Sequence, residues 1–163
     1  MLRFLVFTVV VGVAAAAWAV GEAPRSLSTP PVFTADQARA GKVAYESSCG
    51  LCHRSNMQGR TGAPGELPDV NTLPASMIKT IDEAAGQVPP LAGPYFMGRW
   101  GAKSTKDYVA RVASAMGAFP PRNLRADTVL QLTAYFLQMN GGKAGKTPLS
   151  AQTDVTLNAV TGH

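Results

Sequence analysis

The sequence predicts an all-α domain, on three observations. Three segments carry helix-start chemistry followed by apolar residues at helical spacing, and no segment sustains the alternation of apolar and polar residues that marks a half-buried strand. The composition, 46% hydrophobic and 15% charged over 163 residues, suits one globular core and excludes a disordered chain or a long coiled coil.

The first helix is predicted in "T-A-D-Q-A-R-A-G-K-V-A-Y-E-S-S", where Thr34 caps and Gln37, three residues on, completes a capping box; it runs directly into Cys49. The second lies in "S-T-K-D-Y-V-A-R-V-A-S-A-M", with Ser104 and Asp107 as the same device and Tyr108, Val112 and Met116 along one face. In the third, "A-D-T-V-L-Q-L-T-A-Y-F-L-Q-M-N-G-G", Val129, Leu132, Phe136 and Met139 form a stripe assigned to the core, and the helix stops at Gly141. Residues 54 to 94 read as loop with one short helix near 75 to 84, a long irregular stretch of the kind that wraps something.

Ahead of these lies an N-terminal segment of different character. Arg3 precedes an apolar run from Phe4 to Val20, and Ala17-Trp18-Ala19 supplies small residues at a cleavage position. Residues 1–19 are thus read as an export signal, with an uncleaved anchor as the alternative, because the run is near the short end of what spans a bilayer. Residues 20–32, rich in proline, serine and glycine, are read as a flexible linker, and 33–163 as the folded domain.

Export places the chain outside the inner membrane, where paired thiols tend to oxidise. Both cysteines of the chain fall in "Y-E-S-S-C-G-L-C-H-R", as Cys49 and Cys52, with His53 directly behind. A tetrahedral zinc site needs four ligands, and only the terminal His163 remains to join these three. A thioredoxin-like redox pair starts a helix after a strand, whereas this motif follows a helix. A surface disulfide with an incidental histidine is the bland alternative. Covalent attachment of a c-type haem accounts for all three residues: two thiols form thioethers with the porphyrin, and the adjacent histidine is held as an axial iron ligand.

Beyond the motif, the chain from Thr34 to Gly141 resembles the small class I monohaem cytochromes c. It matches the pattern A-x-x-G-x-x-x-Y-x-x-x-C-x-x-C-H at Ala38, Gly41, Tyr45, Cys49, Cys52 and His53. The resemblance implies a cytochrome c-like fold in which the N- and C-terminal helices cross over the haem, with Tyr135 or Phe136 answering Gly41 and Tyr45. "V-P-P-L-A-G-P" looks like the family's proline–leucine turn, which implies that the Pro89 carbonyl accepts the Nδ1 proton of His53 and that Leu91 packs on the haem face. For the sixth ligand the candidates are Met57, Met77, Met97, Met116, Met139 and His163. Met57 is too close to His53 to cross the ring, and Met139 belongs to the helix stripe. The family carries its methionine eight residues before the leucine that opens the last helix, matching Met116 and Leu124, although its Met-Pro is Met-Gly here.

A narrower resemblance, through "P-Y-F-M-G-R-W-G", "F-P-P-R-N-L" and the tail "P-L-S-A-Q-T", is to the cytochrome c partners or subunits of periplasmic quinoprotein alcohol dehydrogenases. It implies that Arg99 and Trp100 hydrogen-bond a haem propionate, an exposed arginine beside a core tryptophan being the structural alternative. The functional expectation is a periplasmic carrier of single electrons, not an enzyme. It would take electrons from a dehydrogenase, such as a pyrroloquinoline quinone-dependent one, and pass them along the respiratory chain to a terminal oxidase or another cytochrome. The alternative is a haem enzyme or gas sensor with an open or displaceable sixth position. No catalytic triad, carboxylate pair or phosphate loop suggests other chemistry. The formal net charge of +5, reduced by one if Arg3 leaves with the signal, favours an acidic partner surface. Scattered lysines and arginines give no nucleic-acid footprint.

Overall fold

The structure, a computed structural model, describes residues 29–59, 75, 78–79, 88–115 and 124–163. The expected signal and most of the linker lie outside them, as does most of the stretch from 60 to 87, although residues 75, 78 and 79 are helical. Six helices lie wholly within the described residues, which contain no strand: α1 (Ala35–Ser48), α2 (Gly50–His53), α3 (Pro94–Trp100), α4 (Thr105–Ala115), α5 (Ala126–Met139) and α6 (Leu157–Thr161). None of them is long and apolar enough to cross a membrane.

Local chemistry accounts for the helix starts. Thr34 Oγ1 accepts from the Gln37 amide while Gln37 Oε1 accepts from the Thr34 amide, closing a capping box on α1. Ser104 and Asp107 form the same reciprocal pair on α4. At the end of α5 the Gly141 amide donates to Gln138 and the Gly142 amide to Leu137, the bond pair of a Schellman terminus.

The main packing is α1 across α5. At the crossing Gly41 lies against the α5 backbone, where a Cβ would sit 1.9 Å from the Gln131 carbonyl oxygen and 2.9 Å from Tyr135 Cβ. A side chain is excluded there by main chain, which does not yield as a rotamer does. One turn on, the fully buried Tyr45 ring packs against both Tyr135 and Phe136, at centroid separations of 5.5 and 5.9 Å. Ring contacts continue from Phe136 to Tyr108 of α4, and from Tyr108 to Phe96 and Trp100 of α3. One aromatic seam thus joins α1, α5, α4 and α3.

Two features depart from the sequence expectation. Met139, placed in the core by its spacing, is 40% exposed. It is the last residue of α5, and a helix stripe is covered only as far as its partners extend. Residues 143–163, in which no element is anticipated, form part of the core. Gly145 bonds back to Phe33, and the Gln37 side chain pairs with both the amide and the carbonyl of Leu149. The segment then reaches the α3–α4 junction, where Thr105 bonds Thr153 and Val155, and ends in α6 with Leu157 and Val160 fully buried.

Candidate haem-attachment site

The end of α1 delivers the site. The Cys49 amide bonds the Tyr45 carbonyl, continuing the helix, and the Cys52 and His53 amides both donate to the Cys49 carbonyl. This short turn carries Cys49, buried, and Cys52, half-buried, three residues apart and therefore on one side of the helix. No disulfide joins them. Burial, with Cys52 as a lesser influence, pushes the Cys49 thiol up to about 11, so at neutral pH it is protonated.

His53 is oriented from outside the helix. Its Nδ1 lies 2.9 Å from the Pro89 carbonyl oxygen, and because a carbonyl only accepts, Nδ1 carries the proton. Burial lowers the imidazole pKa below its ordinary value, with the Pro89 bond pulling the other way. The neutral ring so defined keeps its lone pair on Nε2, the atom a metal needs. Two cysteines three residues apart and a histidine presented through Nε2 are the donor set that a covalent haem requires, and the residues fit it.

The chain is similar to cytochrome c-555 of Chlorobaculum thiosulfatiphilum, 33% identical over 63 residues that cover 73% of that protein and 34% of this chain. The chain belongs to the c-type cytochromes. No protein-family model and no solved structure matches it. The α1–α5 crossing, set beside this relationship, makes the all-α architecture a cytochrome c-like fold.

Around the Cys49–His53 turn of this cytochrome the backbone is unusual. Arg54 has φ 65° and ψ 159°, and Met57 has φ 60°. Tyr45 Oη donates to the Arg54 carbonyl at 2.6 Å, tying the turn to the ring that fills the helix crossing. Gly59, at φ 67°, donates to the His53 carbonyl and touches the proline turn: a Cβ there would fall 2.1 Å from the Val88 carbonyl oxygen. Both the left-handed backbone and the close approach call for glycine. Leu91 is half-buried, packs on the core, and donates its amide to the Met57 carbonyl.

The remaining candidates fall as follows. Arg99 is exposed on the last turn of α3, and Trp100 is half-buried against Tyr108, ring centroids 5.0 Å apart. Met116 and Met77 lie outside the described residues. Met97 is buried with its sulfur 3.9 Å from the Thr161 hydroxyl, which packs it toward α6. Met57 is fully buried within the turn that follows His53, and His163 is exposed at the terminus. Sequence reasoning missed the Tyr45–Arg54 bond and Asn140, a buried side chain read only as part of the "M-N-G-G" helix end. A polar residue directly after an apolar stripe was the available signal.

Proposed function

We propose that the chain is a periplasmic one-electron carrier holding a single covalent haem c, fed by a quinoprotein dehydrogenase and discharging to a terminal oxidase or another cytochrome. That it is a c-type cytochrome of electron transfer follows from its relative. The observation that carries the site assignment is the His53 Nδ1 bond to Pro89 beside Cys49 and Cys52 on one helical turn.

In this reading Cys49 and Cys52 would hold the group, His53 would bind its iron through Nε2, and Leu91 would pack against it. Met116, in the sequence between α4 and α5, would supply the second protein ligand to the iron, and Arg99 with Trp100 would meet a propionate. A haem so bound supplies reversible one-electron chemistry at its iron, biased to higher potential by thioether ligation. The chain's own contribution is to hold both axial donors in place and to close the metal to other ligands. The apolar run from Phe4 to Val20 supports export, and the net positive charge supports an acidic docking partner.

Carbon monoxide titration of the reduced protein at neutral pH tests this, together with the weak near-infrared band of sulfur bound to ferric haem. The native protein should show the band and exclude carbon monoxide, and Met116→Ala should lose the band and bind the gas. Ready binding by the native protein would favour a gas sensor or haem enzyme. Loss of the band in Met97→Ala or Met77→Ala instead would move the ligand without changing the carrier function.

A further inference from the structure

We infer that Asn140, at the end of α5, is a positioning residue for the axial histidine, acting through the proline turn; this rests on the assignment of His53 as the iron ligand. The turn that carries the Pro89 carbonyl contains two consecutive prolines, and neither has an amide hydrogen. Pro89 itself is exposed. Upstream, Val88 takes part in a β-bridge; downstream, bonds made at Leu91 and Gly93 hold the Pro89 carbonyl on His53 Nδ1.

Among the described residues three bonds secure the downstream side, and Asn140 makes two of them. Its Nδ2 donates to the Leu91 carbonyl at 3.1 Å, and its Oδ1 accepts from the Gly93 amide at 3.0 Å. The third is the Leu91 amide to the Met57 carbonyl at 2.8 Å. The second Nδ2 proton goes to the Phe136 carbonyl at 2.8 Å, so the amide orientation is set by its partners: carbonyls meet the nitrogen and an N–H meets the oxygen.

Helix termination does not explain this side chain. The backbone amides of Gly141 and Gly142 already close α5. The other buried polar side chains among the described residues are Thr105, Thr133 and Thr161. Thr133 and Thr161 bond the carbonyl four residues earlier in their own helix, and Thr105 bonds the C-terminal segment. Only Asn140 of the four reaches the histidine-side turn. The consequence is a mechanical link: α5 crosses α1, α1 presents Cys49 and His53, and Asn140 returns from α5 to the loop that aims the histidine. With φ fixed at both prolines, a displacement of Leu91 is transmitted to the Pro89 carbonyl.

The test is exchange of the His53 Nδ1 proton in the reduced, haem-loaded protein, followed by NMR, with the midpoint potential recorded on the same samples. Asn140→Leu keeps the number and branching of the side-chain heavy atoms but removes every side-chain hydrogen bond. It should speed Nδ1–H exchange by at least about tenfold beyond what its loss of global stability accounts for. It should also raise the potential, because a less firmly bonded imidazole donates less to ferric iron. Val160→Ala, a core truncation in α6, should lower stability and change neither reading. Asn140→Asp keeps the acceptor for Gly93 but turns an oxygen toward Leu91, and it should speed the exchange in the same way even if Asn140→Leu does not fold; its added negative charge favours ferric iron directly, so only exchange is read in this variant. A haem-loaded native protein whose Asn140 variants leave exchange and potential unmoved overturns this inference alone. A native protein without haem overturns it together with the assignment of His53.

Discussion

Replacing Gly41 by alanine should be among the most damaging single-methyl additions in the domain, although alanine is the better helix former. The added Cβ would stand 1.9 Å from the Gln131 carbonyl oxygen and 2.5 Å from its carbon. Ordinary contact lies at about 3.5 Å, so α1 and α5 must part locally by about 1.5 Å. A gap of that size removes much of the dispersion contact across the crossing, where Ala38, Tyr45, Leu132, Tyr135 and Phe136 are all buried. Forcing a methyl into a packed site costs about 1–3 kcal/mol where side chains can yield. Here the obstacle is backbone, which sets the estimate at about 4 kcal/mol against a helix-propensity gain of about 1 kcal/mol. The net loss of about 3 kcal/mol corresponds to a Tm lower by about 10 °C for a domain of this size. Guanidinium unfolding of the haem-loaded protein, followed by far-UV circular dichroism, measures it. A Gly41→Ala protein within about 0.5 kcal/mol of the native one would show that the helices do not touch at this point and would refute the crossing.

Two further substitutions examine the turn after His53 and the C-terminal segment. Arg54 is exposed and adopts φ 65°, ψ 159°, a region occupied almost only by glycine, so Arg54→Gly should stabilise the protein by about 1 kcal/mol once the added unfolded-state freedom is deducted; a loss of stability in urea would show that the strain is not there. Leu157 is fully buried in α6, so Leu157→Ala should destabilise by about 3 kcal/mol and speed proteolysis within 143–163; an unchanged midpoint would make the segment an appendage.

What could be read in advance divides by sequence separation. The starts of α1 and α4 were legible because Thr34 with Gln37, and Ser104 with Asp107, settle their own bonds within one turn. The Cys49–His53 cluster was legible because its chemistry is contiguous. The Gly41–Tyr45 crossing and the Pro89 partner of His53 came from a family resemblance, since nothing local states which helix or carbonyl will arrive. The C-terminal segment escaped because Leu149, Val155, Leu157 and Val160 follow no sustained period, and α6 is only five residues long. Their burial depends on surfaces supplied by α1, α3 and α4. Asn140 escaped for the same reason, its loop partners lying 47 and 49 residues away. Met139 shows the converse error: a correct helical period, extended past the end of the surface that covers it.

The central claim is that Cys49 and Cys52 carry one covalent haem, and the intact mass of the mature protein under denaturing conditions tests it most directly. The native chain should exceed its polypeptide mass by one haem group, a gain that disappears in the Cys49→Ala/Cys52→Ala double variant. A native chain at its bare polypeptide mass, or lighter by the two hydrogens of a Cys49–Cys52 disulfide, would contradict it.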